Sequence, residues 1–92
     1  MDRDEMGMIY ERLSRYEAYF NEAGIPAQEL PRSDDNFLRR GEFTLMHAHF
    51  LTLKAKDCLC DELTEKTMYL LGIIETILSM QMLLPTERMY RY

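Results

Sequence analysis

The fold class predicted for this chain is all-α: a helical hairpin or small bundle with a long C-terminal helix, completed by dimerisation. Three observations in its 92 residues lead there. Apolar residues recur at helical spacing in both halves. Only 4 Gly and 3 Pro are present, and neither falls between Glu42 and Leu71, so the frequent turns of a β-sandwich have no support. Apolar residues make up 47% of the chain, whereas a domain this short buries only about 60 to 65% of its unfolded surface. Self-association is the simplest way to cover the surplus. The weaker alternative is α+β, with "EFTLMHAHFLTL" (42–53) as strands; Phe, Thr and Leu suit a strand, but the alternation is not clean.

The chain reads as a single domain, 1–92. The first element, about 4–23, follows from Met6, Ile9, Leu13, Tyr16, Phe20 and Ala23, whose 3, 4, 3, 4, 3 spacing draws one helical seam. Asp2 and Asp4 stand where an N-cap and favourable first-turn charge belong, and Glu11 precedes Arg15 in the favourable i, i+4 order. Gly24 offers the left-handed residue that ends a helix, Ile25 can fold back on the last turn, and Pro26 forbids continuation. Residues 24–41 are then a loop with short helical turns, capped by Ser33 or Asp34 and stopped by Gly41, in which Phe37 and Leu38 pin the connection to the core. Arg32, Arg39 and Arg40 lie beside Asp34 and Asp35, as in a solvated, internally neutralised loop.

From 42 to 84 the spacing predicts a long or kinked helix. Met46, Phe50, Leu53, Asp57, Cys60, Thr64, Thr67, Leu71, Ile74 and Leu78 keep the 4, 3 period, weakest from Lys54 to Thr67. Unbroken, it would run about 65 Å, against roughly 25 Å for a domain of this size, so it either bends near 57–61 or reaches a second subunit. No Gly, Pro, Asn or Ser marks a turn there, which favours continuity. Pro85 ends the helix, and "RMYRY" (88–92) closes a frayed tail, 85–92.

The run "MYLLGIIETILSMQMLL" (68–84) holds a single charge, Glu75. At a bilayer centre that charge costs roughly 2.5 kcal/mol or more, and aromatic anchors at both ends are missing, so a membrane span is not expected. On a wheel, Leu70, Leu71, Ile73, Ile74, Ile77, Leu78, Met80, Met82 and Leu84 fill about 200°, twice the stripe of a helix buried on one side. One side is expected to receive the Met6–Ala23 seam and the other a second subunit. The expected dimer or partner interface is Phe50, Leu53, Cys60, Leu63, Leu70, Leu71, Ile74, Ile77 and Leu78. Met68, Met80 and Met82 read as core gap-fillers, and Gly72 as a tolerated surface glycine rather than a close helix crossing.

"HAHFLTLKAKDCLC" (47–60) invites a metal reading that helix geometry answers. His47 and His49 point about 200° apart, as do Cys58 and Cys60, so neither pair chelates from a regular helix. His49 and Cys60 share a face but lie about 16 Å apart along it, far beyond zinc bonds of about 2.0 to 2.3 Å. Only two antiparallel chains would bring them level, and that supplies two ligands where a structural zinc takes four. Both cysteines are expected as thiols in a reducing compartment. Lys54, one turn from Cys58, favours thiolate, while Asp57 and Asp61 oppose it.

No phosphate-binding loop or nucleophile elbow occurs, so no enzyme, cofactor or metal is expected. The net charge of -5 includes no basic stripe for phosphate, which argues against nucleic acid. No secretory leader opens the chain, and a cytoplasmic location is the expectation. The function expected is that of a homodimeric helical protein-interaction module: an adaptor, chaperone or inhibitor that binds another protein. The alternative is a metal or thiol redox sensor using His49 and Cys60 across a dimer interface.

Overall fold

A computed structural model describes residues 2–29 and 44–81. They form three α-helices, with no strand among the described residues: α1 (Arg3–Glu22), α2 (Leu45–Cys60) and α3 (Thr64–Met80). The expected turn at Ser33–Arg40, the loop arginines, Met82, Leu84 and the tail from Pro85 lie outside the described residues.

The ends of α1 follow its sequence signals. The Asp2 side chain accepts the Glu5 backbone N–H at 2.8 Å. At the other end Gly24 takes φ +71°, the Ile25 N–H reaches the Phe20 carbonyl at 2.9 Å and the Gly24 N–H that of Asn21 at 3.1 Å. This is a Schellman closure, and half-buried Ile25 packs against the core as such closures favour.

The expected long helix is two helices. After Cys60 the chain makes a second Schellman closure, with Leu63 N–H on the Cys58 carbonyl at 2.9 Å and Glu62 N–H on that of Leu59 at 3.0 Å. Its left-handed residue is Glu62, φ 59°, where a glycine would be usual. The segment is therefore two helices that pack on each other.

The doubly packed helix is α2. His47, Ala48, His49, Leu51, Thr52, Ala55, Cys58 and Leu59 are buried over an arc of about 200°, because α1 and α3 both pack on this helix. In α3 Thr67, Leu70, Leu71, Ile74, Ile77 and Leu78 share about 120°, and buried Ser79 lies about 80° beyond Leu71. The rest of its expected arc is half-buried Ile73 and exposed Met80. The Met6–Ala23 seam lies chiefly against α2, not α3: the Phe20 ring stacks on His49 at 5.1 Å between centroids. One cluster results, joining Ile9, Leu13 and Phe20 of α1 to the α2–α3 hairpin.

Candidate functional site

Beside the apolar cluster, two polar clasps tie α1 to its neighbours. In the first, Glu75 of α3 accepts from Arg12 Nη2 at 2.5 Å and from the Tyr16 hydroxyl, while Arg12 Nε approaches that hydroxyl at 3.4 Å. Burial first, and then the bond donated to Glu75, hold the Tyr16 pKa above its ordinary value; the bond to Tyr16 leads the causes that raise Arg12. A tyrosine that keeps its proton more firmly is a donor, not an activated nucleophile. In the second, Lys56 Nζ of α2 meets Glu17 Oε1 at 2.6 Å and sits 4.8 Å from the centre of the Tyr10 ring. The Lys56 pKa is raised, mainly by the bond to Glu17.

Both histidines are structural. His47 and Thr44 form a reciprocal capping box at the start of α2. His49 Nδ1 lies 2.8 Å from the Ile25 carbonyl, so its ring, stacked on Phe20, anchors the chain leaving α1. His49 is only 6% exposed, while Cys60 lies on the surface at the α2 terminus. Among the described residues no group of three or more His, Cys, Asp and Glu is placed to hold a metal ion. Cys58 is buried, and Lys54 lies 5.9 Å from the centre of the Phe50 ring.

The expected interface divides in two. Leu70, Leu71, Ile74, Ile77 and Leu78 are sealed within a single chain, with Leu70, Ile74 and Ile77 at 7%, 0% and 1% exposure. The apolar surplus assigned to a second subunit at these positions is absorbed by α2, which removes the reason for pairing through them. Phe50 and Leu53 are half-buried on the outer side of α2, and Cys60, its last residue, and Leu63 after the turn are exposed.

A different surface had no expectation in the sequence. An open groove of about 580 Å³ runs beside α1, lined by Glu5, Met8, Ile9, Glu11, Arg12, Arg15 and, from α3, Met68. Met8 is 70% exposed and Met68 46%. Met68 and Met80 are surface residues, not the core fillers their composition suggested. Met8 interrupts a charged stripe, Glu5, Met8, Arg12 and Arg15, that flanks the buried seam, and this lone apolar residue was the available signal. Gly72 is a surface glycine, since a Cβ there would meet nothing within 4 Å.

Fold and surface together define a small all-helical protein with a closed apolar core and exposed methionine, tyrosine and leucine side chains. No family model, curated protein or solved structure matches the chain.

Proposed function

We propose that the chain is a small protein-binding module that engages another protein through its helix surfaces, as an adaptor, chaperone or inhibitor does. The observation that carries this reading is the outer stripe of α2. Phe50, Leu53 and Cys60 continue into Leu63, which is half exposed although the core beneath it is already closed. Asp57 lies within the stripe, between Leu53 and Cys60 in the helical series, and Lys54 borders it beside Phe50. The clasps around Glu75 and Glu17 join neighbouring helices and offer support to the scaffold rather than a reacting group. Pairing with a second copy belongs to this reading, on a face other than the buried one of α3.

A photo-reactive residue in place of Leu63, carried by the full chain in its native host, tests the reading. The expected result is a discrete adduct with a different protein, weakened by Phe50→Asp and absent when the same group replaces Asp2. Equal labelling from both positions, or none from position 63, would overturn it.

A further inference from the structure

We infer that the groove between α1 and α3 takes a second copy of this chain, two α1 helices crossing antiparallel about a two-fold axis near residue 10. The inference deepens the interaction reading by assigning one surface and its occupant, and it rests on that reading only for the use of the pair.

Glu5, Met8, Arg12 and Arg15 follow each other at spacings of 3, 4 and 3, so they share one flank of α1. Arg12 is already engaged by Glu75. Among the described residues, Glu5 and Arg15 enter no ion pair and lie at opposite ends of the stripe, about 15 Å apart along the axis. A rim of one sign would select a partner of the opposite sign. A stripe that is negative at one end and positive at the other is complementary to its own reverse.

Antiparallel pairing at the level of residue 10 sets Glu5 of each copy opposite Arg15 of the other, giving two such pairs by symmetry. It also brings the two Met8 side chains within about 6 Å of one another along the axis. Met8 and Met68, exposed in the single chain, would line the centre of the contact, where flexible thioethers conform to an irregular surface. The aliphatic stem of Arg12 packs beside the opposing Met8 while its guanidinium stays on Glu75.

Sedimentation equilibrium of the full chain from 5 to 200 µM, with Glu5→Arg, Arg15→Glu and the double variant, decides the matter. Wild type is expected to dimerise in this range, each single reversal to weaken the pair about tenfold by setting like charges together twice, and the double variant to return within about threefold of wild type. Met8→Glu should leave a monomer. Unchanged helical circular dichroism in every variant separates lost pairing from lost folding. A monomeric wild type, or a dimer insensitive to the reversals or not rescued by the double variant, overturns the inference. Because the cross-linking position at Leu63 lies on another face, a monomer that still captures a different protein there ends this inference and leaves the binding-module reading standing.

Discussion

Glu75 is the single charge between Met68 and Leu84, and its carboxylate is the point where α3 grips α1. Two donors, Arg12 and Tyr16, converge on one oxygen from positions one turn apart. The sign of the Tyr16 shift sets a pH window. A pKa raised on folding means that the stabilisation is complete below the unfolded value of about 10 and is lost as pH climbs through the higher folded value. Tyr16→Phe is expected to cost about 1 kcal/mol near neutrality. The gap between variant and wild type should close as pH climbs past the unfolded value and through the higher folded one, as read from urea unfolding at each pH. Lys56, whose pKa is also raised, loses its own contribution as pH climbs through its folded value. The comparison therefore rests on the difference between the two proteins, not on the slope of either alone.

At the level of elements, legibility followed local chemistry. Helix α1 was readable because cap, seam and stop all used the residue types that physics prefers: Asp2 accepting a backbone N–H, a regular apolar series, and Gly24 in the left-handed region. The break after Cys60 was not, because Glu62 fills the position glycine would take. A side chain there is disfavoured by roughly 1 to 2 kcal/mol, and the tertiary packing of α3 against α2 supplies the compensation. Glu62→Gly is therefore expected to raise stability by about 0.5 to 1 kcal/mol in chemical denaturation, after the added freedom of glycine in the unfolded chain is deducted. A drop in stability would contradict the strain assigned to Glu62. The two-sided burial of α2 was hidden for a related reason. Its interior includes Thr52, whose hydroxyl is satisfied by the Ala48 carbonyl at 2.7 Å, and both histidines, so residues counted as polar line the core. On α3 the width of the apolar arc was legible but its meaning was not, since Ile73 and Met80 broaden it without being sealed.

At the scale of the molecule, a short central helix serves two neighbours, and the described residues share one core cluster. The described chain is accordingly expected to open as a unit, since removing α1 or α3 bares one flank of α2. No helix among the described residues is long and apolar enough to cross a membrane. The surface candidates were the least legible part, because a single methionine within a charged stripe carries no periodic signature; only the placement of Met68 beside it makes a groove. The two thiols draw a last consequence from the hairpin. Cys60 faces solvent while Cys58, two residues earlier, lies in the core, so a maleimide should modify the first at once and the second only during excursions from the native state. The chain thus carries its own reporter: in one sample, the slow alkylation step times how often the interior is breached, with the fast step as internal calibration. Two equally rapid modifications would mean that the flank of α2 facing α3 is not held shut.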